Sequence, residues 1–156
     1  MVENRPGGGA LLASETAARA PADGNTIILG HNQTHASNQW MARNLPYNVI
    51  ESFAPIARLA TVHHATVVPA NSPARTMGQL IEMGRGGRRV SYASSQAGSA
   101  SHVIAETFVR RSGMDAVHVP YRGTAPSVTD AVAGQIQMVF TGAPALIPMV
   151  KAGKLR

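Results

Sequence analysis

From Val90 to the end of the chain, short apolar segments alternate with segments of helical periodicity, and this alternation constrains the fold more than any other feature. The predicted strands are Val90–Tyr92, Ala116–Val119 and Gln137–Phe140. The predicted helices are Ser101–Ser112, Pro126–Ala133 and Pro144–Ala152. Because strands joined by short helical crossovers pair in parallel, the sequence predicts an α/β fold around a parallel sheet.

Residues before Val90 contain the same kinds of segment in a less regular order. We expect helices at Gly9–Ala20, at Ser37–Arg43 and, behind an N-cap at Thr76, up to Met83. We expect strands at Thr26–Leu29, Ala54–Leu59 and Val62–Val68. The last of these contains His63 and His64, which would point to opposite faces of the sheet and to which the sequence assigns no role.

The composition excludes several classes of protein. The chain has 156 residues, of which 44% are hydrophobic and 14% charged, which excludes a disordered chain and is sufficient for a buried core. No apolar run approaches the roughly 18–20 residues that cross a bilayer, and the first residues do not match a signal peptide. The absence of cysteine excludes disulfides, thiolate zinc sites and cysteine nucleophiles.

A net charge of +6 suggests a nucleic-acid-binding protein as one alternative. Twelve of the 14 basic residues are arginines, and they lie singly along the chain apart from clusters at Arg85–Arg89 and Arg110–Arg111. No aromatic side chains stand between them to stack on bases. We therefore expect no nucleic-acid partner, and salt-sensitive retention on DNA would contradict this expectation.

The connections that follow the predicted strands are rich in glycine and in hydroxyl side chains. They are Gly30–Ser37, Ala93–His102, Pro120–Pro126 and Thr141–Pro144. In a parallel sheet such connections meet at the carboxyl edge of the strands, where ligands bind. Each leads into a helix N-terminus, whose free N–H groups and dipole favour an anion. The alternative is that the hydroxyls only cap the helices.

Motifs for catalysis are absent or incomplete. Gly98–His102 lacks the second glycine of a nucleophile elbow. His31 and His35 are four residues apart, but neither an H-E-x-x-H helix nor a cysteine accompanies them as a zinc site would require. An enzyme that uses His102 or His35 as a base is the alternative reading. We expect no catalysis, no metal and no cofactor.

Short motifs along the whole chain carry a resemblance to a known family. They are Val2–Gly7, Ala22–Gly24, Leu45–Tyr47, Phe53–Pro55, Tyr92–Ser95, Ser99–His102, His118–Pro126 and Val150–Arg156. In this order they resemble the substrate-binding proteins of tripartite tricarboxylate transporters, also called the Bug family. The resemblance implies a type II periplasmic-binding-protein fold, in which two α/β lobes close on a small ligand.

The resemblance also implies what the protein binds and where. The ligand would be a small carboxylate held by loop amides and hydroxyls, the partners would be the membrane components of the transporter, and the location would be the periplasm. In the first lobe, the resemblance implies ligand-binding residues at Thr34 and His35. In the second lobe, it implies Ser94, Ser95, Gly98, Ser99, Ser101, His102, Tyr121, Gly123, Thr124 and Ala125.

Members of this family are longer than 156 residues, so the resemblance implies an internal fragment. Residues 1–66 would then form an incomplete first lobe. Residues 67–156 would form a nearly complete second lobe that lacks its last strand. The alternative is a truncated chain without a competent ligand site.

Overall fold

The computed structural model describes residues 1–5 and 7–156, which form two compact units. Unit 1 consists of Met1–Ala60 and Gly98–Ala100, and unit 2 consists of Thr61–Ala97 and Ser101–Arg156. Pro6 lies outside the described residues. No helix in the described part of the chain is both long and apolar enough to cross a membrane.

Unit 1 is built from short helical segments. A 3-10 turn at Gly8–Ala10 leads into helix α1 (Leu11–Ala18). A π-helical turn at Gln33–Ser37 continues as helix α2 (Asn38–Met41). The helices expected at Gly9–Ala20 and Ser37–Arg43 are therefore present but shorter, and the second begins with an irregular turn.

Buried polar side chains connect the segments of unit 1. Asn38 Nδ2 donates to the Gly9 carbonyl at 3.1 Å and to the Tyr47 hydroxyl at 3.2 Å. The Tyr47 hydroxyl in turn donates to the Thr34 carbonyl at 2.7 Å. Since buried polar groups are costly unless they are paired, these bonds determine how the turns of unit 1 meet.

The strands expected at Thr26–Leu29 and Ala54–Leu59 are wrong, because neither segment is a strand in the structure. A strand forms where a neighbour pairs with its backbone N–H and C=O groups, and no described segment pairs with either one. Their apolar side chains remain exposed, with 76% of Leu29 and 79% of Ile56 accessible. Hydrophobicity alone therefore predicted these two strands incorrectly.

Unit 2 contains a four-stranded sheet. Its strands are β1 (His64–Val67), β2 (Val90–Ser94), β3 (Ala116–Pro120) and β4 (Met138–Gly142). Its helices are α3 (Met77–Arg85), α4 (Ala100–Ser112, whose first residue groups with unit 1), α5 (Thr124–Val132) and α6 (Ala143–Lys151). The alternation predicted from Val90 onward is thus confirmed, and so is the α/β class.

The strand order is β1-β4-β2-β3. Strand β2 pairs in parallel with β3 and with β4, as the alternation predicts. Strand β1 pairs antiparallel with β4, so the expectation of a wholly parallel sheet is wrong for this strand. The physical reason is that a crossover determines the direction of strands it joins, whereas β1 and β4 are far apart in sequence and no single crossover joins them.

Side chains alternate between the two faces of the sheet and form two cores. Tyr92, Met138 and Phe140 face the first core, which also contains Leu80 of α3 and Ala105 of α4. The second core lies on the other face, and its buried members are Val67, Ala93, Val128, Ala131, Ile136, Val139, Leu146 and Leu155. Helices α3 and α4 therefore cover one face of the sheet and α5 and α6 the other, as the strict alternation of a strand requires.

Helix α3 offers a matched test of this packing. In Gly84→Ala, the new Cβ would lie 2.7 Å from Met114 Cβ in the first core, so the two residues must move apart. In Gly78→Ala, the nearest neighbouring atom is Thr76 Oγ1 at 3.8 Å. We expect Gly84→Ala to lower the free energy of unfolding by about 1–3 kcal/mol. We expect Gly78→Ala to raise it by up to about 1 kcal/mol, because alanine favours the helix.

Urea denaturation followed by circular dichroism measures both changes. Equal effects of the two substitutions would contradict the packing of α3 against Met114.

Candidate functional site

The connections after β2, β3 and β4 lie at one edge of the sheet, because these three strands run in the same direction. They lead into α4, α5 and α6. Strand β1 runs the opposite way and therefore begins at this edge, with His64 paired to Gly142 and the His63 carbonyl accepting from Ala143 N at 2.8 Å. This carboxyl edge of unit 2 brings three helix N-termini together.

Serine hydroxyls shape the connection between β2 and α4. Ser94 Oγ donates to the Gln96 carbonyl at 3.1 Å. Ser101 Oγ accepts from Ser95 N at 3.1 Å and lies 3.0 Å from Ser95 Oγ. Gly98 has a φ of +80°, a left-handed conformation that favours glycine. These contacts tie the end of β2 to the first turn of α4.

The connection between β3 and α5 is bound directly to the one after β2. Tyr121 N donates to the Ser94 carbonyl at 3.2 Å, and Gly123 N donates to the Ser95 carbonyl at 2.8 Å. The Tyr121 hydroxyl donates to Asp130 Oδ2 at 2.6 Å, and burial together with this bond raises the pKa of Tyr121 to about 12. The two connections therefore form one hydrogen-bonded assembly.

The connection after β4 joins the same assembly through threonine hydroxyls. Thr124 Oγ1, in the first turn of α5, lies 3.0 Å from Thr141 Oγ1. Thr141 is buried, and α6 begins two residues after it. The carbonyl of Thr124 accepts a further hydrogen bond from Ser127 Oγ at 2.7 Å. Thr124, the first residue of α5, is thus held through its hydroxyl by Thr141 and through its carbonyl by Ser127.

Two histidines stack on the face of the sheet that α4 covers. The rings of His102 in α4 and His118 in β3 have centroids 4.0 Å apart and planes inclined by 19°. His118 also stacks on Tyr92, its neighbour on β2, with centroids 5.1 Å apart. The Tyr92 hydroxyl donates to Glu106, one helical turn after His102. Burial and the nearby His102 lower the pKa of His118, and Glu106 acts in the opposite direction.

In unit 1, the two predicted site residues lie in the π-helical turn. Thr34 is buried, and its hydroxyl accepts from His31 N at 3.0 Å and donates to the His31 carbonyl at 2.9 Å. His35 Nδ1 lies 2.8 Å from the same hydroxyl and makes the third contact. The ring of His35 packs against Phe53 at a centroid distance of 4.7 Å.

The structure brings most of the predicted site residues together. The residues at the carboxyl edge of unit 2 are Ser94, Ser95, Ser101, His102, Tyr121, Gly123, Thr124 and Ala125. Thr34 and His35 lie in unit 1, with which Gly98 and Ser99 are also grouped. Their role in ligand binding remains a prediction. Within residues 1–5 and 7–156, no group of three or more His, Cys, Asp or Glu side chains is placed to hold a metal ion.

Three residues that the structure places at this edge or directly beneath it are not predicted as site residues from the sequence. Thr141 belongs to a predicted connection, His118 belongs to a family motif, and His64 has no predicted role. The alternation of β3 places His118 on the face opposite to Val117 and Val119, but the sequence does not tell which of the two faces α4 covers. The position of His64 follows from the antiparallel pairing of β1, which the sequence did not predict.

The comparison with family models and curated proteins identifies relatives along the whole chain. The model described as "Tripartite tricarboxylate transporter family receptor" matches residues 1–156. A curated relative from Pseudomonas sp. (strain P51), a UPF0065 protein in the tcbD-tcbE intergenic region, is 34% identical over 141 residues. The match covers 90% of this chain and 42% of that relative. The chain therefore spans less than half the length of this relative.

Three solved structures are similar to this one. A protein described as a periplasmic transporter has a TM-score of 0.93 and 36% identity, covering 99% of this chain and 52% of that one. Rpa4515 of R. palustris with adipate has a TM-score of 0.95 and 31% identity, covering 100% and 52%. MatC of Rhodopseudomonas palustris with bound malate has a TM-score of 0.85 and 25% identity, covering 96% and 51%. These likenesses confirm the periplasmic-binding-protein type of α/β fold.

Removal of the Ser101 hydroxyl tests whether it holds the connection after β2. In Ser101→Ala, Ser95 N and Ser95 Oγ lose a partner, and we expect a loss of about 1 kcal/mol in stability. Thr107→Ala in the same helix is the control, because this exposed hydroxyl only bonds the Val103 carbonyl. Hydrogen exchange at the Ser95 amide should accelerate in the Ser101 variant alone, and unchanged exchange would show that another contact holds the connection.

The lowered pKa of His118 predicts how stability depends on pH. The unfolded chain takes up protons on its histidines near pH 6.5, whereas folded His118 resists protonation. Because the unfolded state then binds more protons, the free energy of unfolding should fall as the pH drops from about 7.5 to about 5.5. His31 and His64 have pKa values shifted in the same direction, mainly by burial, and contribute with the same sign.

Urea titrations at several pH values measure this dependence. We expect His118→Gln to make the fall smaller, since one of the three contributing histidines is then absent. A wild-type stability that stays constant or increases on acidification in this range would contradict the prediction.

Proposed function

The chain belongs to the tripartite tricarboxylate transporter receptor family, and from this premise we propose that it binds a small organic acid through one or more carboxylates. The protein would deliver this acid to the membrane components of a tripartite transporter, and it would act in the periplasm. The chain spans about half of its solved relatives, with 52% of the Rpa4515 chain covered. We further propose that residues 1–66 and 67–156 contribute to different lobes of the binding protein.

The observation that carries this proposal is the convergence of three helix N-termini at the carboxyl edge of unit 2. Helices α4, α5 and α6 are the elements that follow β2, β3 and β4, and these three strands run in the same direction. The first N–H groups of a helix lack partners within the helix, and the helix dipole is positive at that end. Such an arrangement binds a carboxylate without requiring a charged side chain.

The resemblance implied that hydroxyl groups contact the ligand directly, whereas the structure supports an indirect role for several of them. The hydroxyls of Thr34, Ser94 and Ser101 are engaged within their own connections. We propose that they act by orienting backbone N–H groups, while direct contacts to the ligand come from the first backbone N–H groups of α5, at Thr124 and Ala125. A preformed set of donors reduces the ordering that ligand binding requires.

The ligands of solved relatives agree with an organic acid. Rpa4515 is described with adipate and MatC with malate, and their identities to this chain are 31% and 25%. Both ligands are dicarboxylates of four to six carbons, which differ in length and in a hydroxyl group. We therefore propose a dicarboxylate or a similar polycarboxylate as the ligand class.

Ala125 allows a test that separates binding from folding. It is exposed in the first turn of α5, where a carboxylate stabilises a helix but repels an anionic ligand. We expect Ala125→Asp to keep or raise the melting temperature and to weaken dicarboxylate binding by at least about tenfold, or ~1.4 kcal/mol. In the control Ala125→Asn, asparagine has nearly the same shape as aspartate but no charge. This variant should bind the dicarboxylate much more tightly than Ala125→Asp does.

Isothermal titration calorimetry measures the binding of adipate, malate, succinate and citrate to the full protein chain. Adipamide, the neutral diamide, is the control ligand and should not bind. If the wild-type protein binds none of these acids, or binds adipamide as well as adipate, the proposed function is wrong.

A further inference from the structure

His118 lies on strand β3, yet its side chain reaches the connection after β2. Its Nε2 is 2.7 Å from Ser94 Oγ. The Ser94 hydroxyl carries one proton and donates it to the Gln96 carbonyl at 3.1 Å. Both contacts of the Ser94 hydroxyl are satisfied when Nε2 of His118 carries a proton and donates it to Ser94.

This bond is the first of a series that runs into both connections. The Ser94 hydroxyl holds the Gln96 carbonyl, and the Ser94 carbonyl accepts from Tyr121 N. The next residue, Ser95, accepts from Gly123 N and bonds Ser101. A displacement of Ser94 would consequently change the position of the backbone in front of both α4 and α5.

The ring of His118 is itself fixed by its neighbours. It stacks on His102 of α4 and on Tyr92 of β2. Glu106 of α4 is the nearby acidic group, and its carboxylate is engaged by the Tyr92 hydroxyl and by Arg110 Nε at 2.7 Å. The titratable groups that face His118 are therefore His102, Tyr92 and Glu106, with Arg110 beyond Glu106.

We propose that His118 is a positioning residue of the anion site: its Nε2–H holds Ser94, and through Ser94 it sets the connections in front of α4 and α5. The inference rests on the proposed function, because it assigns His118 a role in the same site. His118 does not contact the ligand. It acts from beneath the connections, at the level of the sheet.

The state of the ring is part of this role. The Nε2–H tautomer of neutral His118 and the protonated ring both carry this donor, so loss of the Nδ1 proton preserves the bond to Ser94. A second positive charge on the stacked pair is unfavourable, because the rings of His102 and His118 are only 4.0 Å apart. The stack therefore favours one neutral histidine below the site.

Two substitutions of His118 and one control distinguish the hydrogen bond to Ser94 from the ring stacking on His102 and Tyr92. His118→Phe keeps an aromatic ring beside His102 and Tyr92 but has no donor for Ser94. His118→Gln keeps an N–H donor at a similar distance from the backbone and should restore much of the binding. Val117→Thr is the control on the same strand, because Val117 is 40% exposed and threonine suits a strand equally well.

The measurement is the dissociation constant of whichever of the four acids the wild type binds most tightly, together with the melting temperature. We expect His118→Phe to weaken binding roughly tenfold with a small change in melting temperature, and Ser94→Ala to weaken it similarly. The double variant should bind no more weakly than Ser94→Ala, since this substitution already removes the bond that His118→Phe removes. Nitrogen-15 NMR of the histidines should show an Nε2–H His118 whose resonance shifts in Ser94→Ala.

Each outcome separates this inference from the proposed function. If the wild type binds and His118→Phe binds equally well, or if the losses in the double variant add, the role of His118 is wrong and the proposed function stands. If the wild type binds none of the four acids adipate, malate, succinate and citrate, the proposed function fails and this inference fails with it. An NMR spectrum in which His118 carries its proton on Nδ1 alone also overturns the inference.

Discussion

The parallel pairing of β2 with both β3 and β4 is the constraint on which the rest of unit 2 depends. Because these strands share one direction, all three of their connections reach the same edge, and α4, α5 and α6 all begin there. The pairing also determines the two cores, since alternate residues of β2 and β4 enter opposite faces. Reversing one strand would move its connection to the other edge of the sheet and remove its helix N-terminus from the site.

The connections at that edge depend on hydrogen bonds that remain within the protein. Ser94, Ser95 and Ser101 link β2 to α4, while Tyr121 N and Gly123 N join the next connection to the same backbone. Each such bond contributes only about 0.5–1.5 kcal/mol, but together they order a segment that would otherwise be mobile. Serine and threonine are suitable because short side chains reach the backbone within a single turn.

The sequence predicted unit 2 well because its signals are local. Thr76 caps α3 through a bond from Gln79 N, as a threonine before a helix should, and short apolar segments between the helical ones marked the positions of β2, β3 and β4. The direction of β1 and the absence of strands near Ile27 and Ile56 depend on which segments become neighbours, and no local pattern contains that information. The connections of the candidate site could be predicted because their glycine and hydroxyl residues are a local signal. The contact of His118 with Ser94 could not be predicted, because it depends on the register between β2 and β3.

Three arginine side chains of unit 2 make hydrogen bonds or an ion pair within the fold. Arg85 Nε donates to the Ser112 carbonyl, Arg110 pairs with Glu106, and Arg156 donates to carbonyls of the Pro69–Ala74 turn. An anion site built from backbone N–H groups and helix dipoles contributes less electrostatic energy than a buried ion pair with arginine would. In the proposed site, this weaker attraction would favour release of the ligand, because differences in affinity lie mostly in the dissociation rate. The net charge of +6 then acts at longer range, where it raises the local concentration of anions without holding them.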